Sequence, residues 1–380
     1  MLMPPSGTKT STGEKRNRRR EQKLWSNGQA HTLSLGCIAC EYHNICGGLH
    51  IKAALFDCLG FCCGKLEHCD TVCPNKPFEF VDRVREIGTF DLGTVPRSAI
   101  LPVDKLPPFV PLIYHGSRCV EVLAAKTVGL SLYQMIDRQS GTVRYSSRAS
   151  LEEKFKLLPG AKIVLSGTAK DKPLERWWDL GVRRRIVIRQ IRDLGIHLVT
   201  TTNYSLFTDV PRFDNLNSIK RIATTHQEFL AEGLPAALHV NARTETDWDR
   251  WIDYVGNRDE ITHIAYEFGT GAGRTNRIHW HAEHLVKLAQ SIDRPLHLVI
   301  RGGTSVFGVL NKAYEGISLL DTSAFIKTMK RQVAVVSGNK GVTWTSSPTD
   351  HGAPLDELFC TNVRTLEDAV LEMAISERVY

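Results

Sequence analysis

At 380 residues the chain has room for one large domain plus a smaller module, or for two ordinary domains. Its 42% hydrophobic and 23% charged residues exclude a wholly disordered or fibrous protein and allow a sizeable core. The net charge of +7 points to a polyanion partner only until it is located: residues 1–30 hold seven cations against Glu14 and Glu21, so +5 sits in that segment and the other 350 residues carry +2.

Residues 1–30 open MLMPPSGTKTSTGEKRNRRREQK, which is too poor in apolar side chains to pack, and are expected to be a disordered basic tail. The run Lys15–Arg20 suits the phosphates of a nucleic acid, or serves only as a solubilising end. The tail has no apolar run of signal-peptide length, and no stretch of about 18 apolar residues follows. These features predict a cytoplasmic protein with no membrane partner.

Residues 31–76 hold eight of the ten cysteines: Cys37, Cys40, Cys46, Cys58, Cys62, Cys63, Cys69 and Cys73. Without an export signal, clustered thiols read as metal ligands before disulfides. The spacings are C-x2-C-x5-C in GCIACEYHNICGG and C-x5-C-x3-C from Cys63 to Cys73. Such spacing lets several thiolates reach one centre from a tight turn. Eight thiols make two four-cysteine sites, or one site with spare thiols. An iron–sulfur cluster is the favoured cofactor. Zinc is the alternative, with His43, His50 or His68 able to replace a cysteine. C-x2-C-x5-C followed by Gly47-Gly48 resembles the start of the SPASM-type auxiliary-cluster segment of radical S-adenosylmethionine enzymes, and the resemblance implies a four-iron cluster. The radical core signature C-x3-C-x2-C is missing, because Lys65 stands where its last cysteine belongs after Cys58 and Cys62.

Residues 77–108 are expected to be a connector, and residues 109–330 an α/β domain. Short apolar runs at Phe109–Tyr114, Lys162–Leu165, His197–Thr201, Ala236–Val240, His263–Glu267, Leu296–Ile300 and Ile317–Leu320 predict strands, with Val120–Ala124 a candidate eighth. Amphipathic stretches at Leu174–Leu194, Asn215–Glu232, Thr244–Val255, Ile278–Ile292 and Thr304–Ala313 predict helices between them. That alternation implies parallel strands, and the count favours a (β/α) barrel over an open doubly wound sheet. No G-x-G-x-x-G follows a strand, since GTGAGR at 269–274 lacks the spacing. Residues 331–380 form a C-terminal extension.

Barrel sites lie at the carboxyl ends of strands. Those ends carry Asn203 and Tyr204, Asn241 and Arg243, Glu267, Arg301 with Gly302 and Gly303, and Asp321. Asn241, Arg243, Glu267, Arg301 and Asp321 are the candidate catalytic residues. Glu267 or Asp321 would act as acid, base or nucleophile, and Arg243 or Arg301 as anion clamp. A carboxylate beside two guanidiniums is expected to stay ionised. The competing reading is that polar residues simply cap the following helices. His279, His281 and His284 form H-x-H-x2-H, expected at a surface or interface more than on a metal. Trp177, Trp178, Trp248 and Trp251 read as packing residues.

The block TTNYSLFTDVPRFDNLNSIKRIATTHQEFLAEGLPAALHVNAR, within residues 196–243, resembles a family common in phages and plasmids and known only as a domain of unknown function. The shared pattern is a strand, Ser205-Leu206-Phe207 with Asp209 and Pro211, a helix, Gly233, a strand and Asn241. It implies a barrel-like fold of mobile-element ancestry. The barrel pattern is also similar to the tRNA-guanine transglycosylase superfamily, which exchanges bases in nucleic acid with a catalytic Asp. That family's zinc motif near the C-terminus is absent. Two functions remain open: an enzyme acting on nucleic acid or a nucleotide-like substrate, with a metal cluster in front, or a non-catalytic zinc- or cluster-stabilised adaptor that binds nucleic acid or protein.

Overall fold

The computed structural model describes residues 77–207, 212–269, 277–337 and 341–376. The basic tail and all eight clustered cysteines lie outside the described residues. The chain divides into two compact units. Among the described residues the first comprises 77–92, 205–221 and 241–250, and the second holds the remainder.

The second unit contains eight parallel strands: β1 (Phe109–Pro111), β2 (Thr127–Ser131), β3 (Lys162–Ser166), β4 (Leu198–Thr200), β5 (Ala236–His239), β6 (His263–Glu267), β7 (His297–Arg301) and β8 (Gly316–Asp321). Their order in the sheet is β1-β8-β7-β6-β5-β4-β3-β2. The seam between β1 and β2 is bridged at Leu112–Gly129, where the Ile113 amide donates to the Gly129 carbonyl at 2.9 Å. The result is the (β/α) barrel-like fold that the alternation implied. Strands covered on both faces must be apolar throughout rather than alternating, and the first four residues of β7 and five of β8 are buried without a break. Val110, Val164, Leu198, Ala237, Ala265 and Val299, one from each of six strands, meet in the interior with Leu106 packed among them.

The sequence expectation erred at two elements here. Val120–Ala124 is not a strand; only Leu123 makes an isolated bridge, to Leu157, and the eighth strand is Thr127–Ser131. Within TVGLS, Gly129 weakens the strand signal, yet Leu112 and Leu320 crowd so close to it that a Cβ there would lie 3.0 Å from the Leu112 side chain. Leu174–Leu194 is two helices rather than one. These are divided at Gly181, whose φ of +54° is left-handed.

The helices, in chain order, are α1 (Pro77–Ile87), α2 (Arg148–Phe155), α3 (Asp171–Asp179), α4 (Arg183–Asp193), α5 (Arg212–Ala231), α6 (Glu245–Gly256), α7 (Ile278–Gln290), α8 (Phe307–Ala313), α9 (Ser323–Met329) and α10 (Asp356–Ser376). No helix lies between β1 and β2. Instead α10 packs against β1, α8, α9 and the antiparallel hairpin of β9 (Gln332–Val336) and β10 (Val342–Ser346). Asn362 of α10 is fully buried; its amide donates to Thr328 Oγ1 at 2.8 Å and accepts from the Ala334 amide at 2.7 Å. Asp356 Oδ1 accepts the amides of Val120 and Glu121, both at 2.9 Å, tying the helix start to the β1–β2 connection. Among the described residues no helix is long and apolar enough to cross a membrane.

In the first unit, α1 is held by Arg83 on Asp214 at 2.9 Å and by Asn217 on Glu86 at 3.0 Å. Lys220 donates to the Asp91 carbonyl.

Candidate active site

Parallel strands end together, so the carboxyl ends of β3, β5, β6, β7 and β8 bring Thr168, His239, Glu267, Arg301 and Asp321 to one end of the barrel. Glu267 is the last residue of β6, with its side chain only 4% exposed. Oε1 accepts the Gly269 amide at 2.6 Å. Only glycine permits that approach, since a Cβ at position 269 would meet Oε1 at 2.4 Å. Among the described residues Oε2 has no hydrogen-bond partner, and it stands 3.5 Å from Arg301 Nη1. Arg301 ends β7 in register with Glu267, and its Nη2 donates to Tyr114 Oη at 3.2 Å.

Burial pushes the Glu267 carboxyl above the usual carboxylate range; Arg301, the Gly269 amide and the nearby Thr168 hydroxyl pull it back only in part. Among the described residues Glu267 pairs with Arg301, and desolvation opposes its ionised form because the group is deep in the barrel end. Asp321 is likewise raised by burial, against hydrogen bonds from Ser323 and Ala324 and the charge of Arg301. Its Oδ1 accepts the Ser323 amide at 2.6 Å and Oδ2 the Ser323 hydroxyl at 3.0 Å. Asp321 thus does the work of a helix-start cap, which was the competing reading for it.

Two further residues join this cluster from positions that the sequence reading passed over. His239 looks like part of an apolar strand in AALHV. It is buried, and its Nδ1–H donates to the Thr201 carbonyl at 2.7 Å. That bond leaves Nε2 as an acceptor, 3.5 Å from Thr168 Oγ1. Burial holds His239 down to about 4, so it is neutral near neutral pH. Thr168 follows Gly167, whose carbonyl accepts from Tyr133 Oη at 2.8 Å and whose amide donates to Thr200 Oγ1 at 3.0 Å. A polar residue inside or two positions beyond an apolar run is the only signal that the sequence offers for either.

Asn241 and Arg243 follow β5 in the chain but belong to the first unit. There the Arg243 Nε donates to the Leu206 carbonyl at 3.1 Å, its Nη1 lies 3.5 Å from Asn241 Oδ1, and its amide donates to Asp247 at 3.0 Å. Asn203 donates its amide to the Gly167 carbonyl at 3.3 Å, and Tyr204 is buried edge-on to Trp178. Gly302 and Gly303 both take left-handed φ after β7.

The H-x-H-x2-H motif does not form a surface cluster. His279 is exposed, whereas His281 is 1% exposed and lies 2.6 Å from Tyr266 Oη. Nδ1 of His284 donates to the Trp280 carbonyl at 2.8 Å. Helix geometry turns position 281 inward while 279 points out. Trp177, Trp248 and Trp251 are buried, and Trp177 stacks on Phe229 at 5.6 Å. Trp178 is half-buried beneath the Arg184 guanidinium, 4.3 Å from its ring centre. Among the described residues no group of three His, Cys, Asp or Glu side chains is placed to hold a metal ion.

Fold and site together define a (β/α) barrel protein with a buried acid, a guanidinium and a neutral imidazole at the strand ends. No protein-family model matches the chain, and no curated protein matches it in sequence.

Proposed function

We propose that the barrel is an enzyme that moves a proton on an anionic, nucleotide-like substrate or a nucleic acid, with Glu267 as acid–base group and Arg301 as anion clamp. One observation carries this reading: a carboxyl oxygen buried at a strand end without a hydrogen-bond partner among the described residues, beside a guanidinium that is partly exposed. A buried polar orphan carries a cost of about 1–3 kcal/mol, and structures keep such groups where a ligand or a reaction uses them. A carboxyl raised by burial can hold and release a proton nearer neutral pH. Arg301 adds the planar donor set that matches phosphate or carboxylate. Thr168 and His239 would set the orientation of the carboxyl from behind.

The cysteine module is proposed to carry an iron–sulfur cluster, with zinc as the alternative. Spacing and the absence of paired C-x2-C units support the cluster. Anaerobic purification followed by iron, sulfide and zinc analysis separates the two. Cys37→Ser, Cys40→Ser and Cys46→Ser together should lose the metal.

The site is tested by thermal shift with nucleoside mono- and diphosphates and short oligonucleotides. A ligand should raise the Tm of the wild type, and Arg301→Met should remove that shift. If no such compound shifts the wild type, or Arg301→Met responds equally, the substrate assignment fails and the adaptor reading takes its place.

A further inference from the structure

Helix α4 reads RRRIVIRQIRD and uses its two faces for different tasks. Val187, Ile188 and Ile191 are buried, and Arg184 turns inward onto Glu228 at 2.7 Å. The opposite face presents Arg183, Arg185, Arg189 and Arg192, all exposed. Arg185 and Arg189 share one carboxylate, Glu232, at 3.8 and 3.6 Å, and stay 54% and 51% exposed. Arg192 pairs with the exposed Asp193 at 2.8 Å. Arg183 has no acidic partner among the described residues. Four cations therefore face solvent against two carboxylates, in a chain whose net charge outside its first 30 residues is only +2. Between the arginines lie Val182, 89% exposed, and Ile186, 51% exposed.

We infer that this outer face of α4 is a docking surface for the phosphate backbone of a nucleic-acid strand. Residues three and four apart on a helix stand about 5–6 Å from each other. Arg185, Arg189 and Arg192 thus form a row whose guanidiniums reach successive phosphates. Arginine at all four positions, with no lysine among them, supplies planar forks that hold phosphate oxygens by two hydrogen bonds. The long ion pairs to Glu232 are solvent-exposed and weak, so phosphates displace them at little cost. Val182 and Ile186 add apolar surface for sugars or bases. An anionic membrane fits less well: an interfacial helix inserts a broad apolar face with aromatic or leucine anchors, and the apolar face of α4 is already buried on the barrel. The inference does not depend on Glu267 being catalytic.

The test uses the full chain and a fluorescein-labelled single-stranded oligonucleotide, read by anisotropy from low to moderate salt. Replacing Arg183, Arg185, Arg189 and Arg192 by Gln should weaken binding at least tenfold. It should also reduce the slope of log K against log salt by about 3, at about 0.7 per phosphate contact on a single strand. The four-lysine variant should keep most of the slope. Ile186→Glu, at an exposed position that cannot unfold the core, should weaken binding several-fold by repulsion and guards against a misfolded quadruple variant. Equal affinity and slope in wild type, quadruple and Ile186→Glu proteins would overturn the proposal. So would variants that lose binding to phosphatidylserine vesicles while keeping the oligonucleotide.

Discussion

Glu267 keeps a charge-bearing group where burial disfavours charge, and that conflict has measurable consequences. Because its folded value is raised, the folded state binds more protons than the unfolded chain above the usual carboxylate range, and the resulting contribution to stability is lost as pH rises through the raised value. Glu267→Gln keeps the acceptor for the Gly269 amide and removes the ionisable group. It should therefore match the wild type near pH 4 and be more stable than it near pH 8, while activity is abolished. Urea unfolding at the two pH values checks this; a variant less stable than wild type at pH 8 would show that Glu267 is a structural ion pair with Arg301. Thr168→Val should raise the Glu267 value further, since it removes a nearby hydroxyl that favours the ionised carboxylate, whereas Thr168→Ser should not. Carbon-13 shifts of the glutamate carboxyls followed against pH would reveal the difference. The sequence disclosed Glu267, Arg301 and Asp321 because each ends an apolar run. It hid His239 and Thr168, since a histidine inside AALHV carries no mark of which neighbour its ring will meet.

At the scale of elements, the amino ends of the strands hold a second set of buried titratable groups. His263 and His297 begin β6 and β7 in register, with ring centres 5.1 Å apart. His297 Nε2 lies 2.9 Å from Ser318 Oγ, and His263 Nδ1 lies 2.9 Å from Thr262 Oγ1. Burial holds them down to about 3 and about 4, with each histidine's neighbours adding to the effect: His263 and Lys105 on His297, His197 on His263. His226, bonded to the Ala236 carbonyl, is also held at about 4. All three are neutral when folded, and the unfolded chain protonates them near 6.5. Their stabilisation is complete above about pH 6.5 and is lost as pH falls toward 4, each histidine costing up to about 1.4 kcal/mol per pH unit. The denaturation midpoint should drop steeply across that window, and His297→Asn should flatten the drop; a midpoint constant from pH 7 to 4.5 would refute the burial of these rings. Strand positions were legible because both-face burial writes an unbroken apolar run, as in HLVIR. β2 escaped because glycine at its centre removes that mark, and the break at Gly181 escaped because the apolar periodicity of Leu174–Leu194 runs through it.

For the whole molecule, the notable departure from a repeating (β/α) plan is that β1 and β2 are joined without a helix, and the last helix of the chain covers β1 instead. The sequence gives no sign of this, since residues 331–380 are far from β1 in the chain and only tertiary contact reveals the partner. Leu355, just before α10, and Phe359, Val363 and Val370 on it are each buried. At about 1.5–3 kcal/mol per buried side chain, they represent about 6–12 kcal/mol, as large as the whole stability expected of a folded domain. A chain ending before Leu355 should therefore fail to form a cooperative barrel, recovering as insoluble protein or losing its thermal transition. Phe359→Ala should cost about 3–5 kcal/mol and keep the fold. Asp356→Asn should cost about 1 kcal/mol, because the amide oxygen still accepts both hydrogen bonds from Val120 and Glu121 but loses their charge assistance. The ordering of the three is the test: truncation worst, Phe359→Ala intermediate, Asp356→Asn mild. A truncated chain that melts cooperatively at the wild-type temperature would mean that the Leu112–Gly129 bridge closes the barrel unaided and that α10 is only an appendage to it.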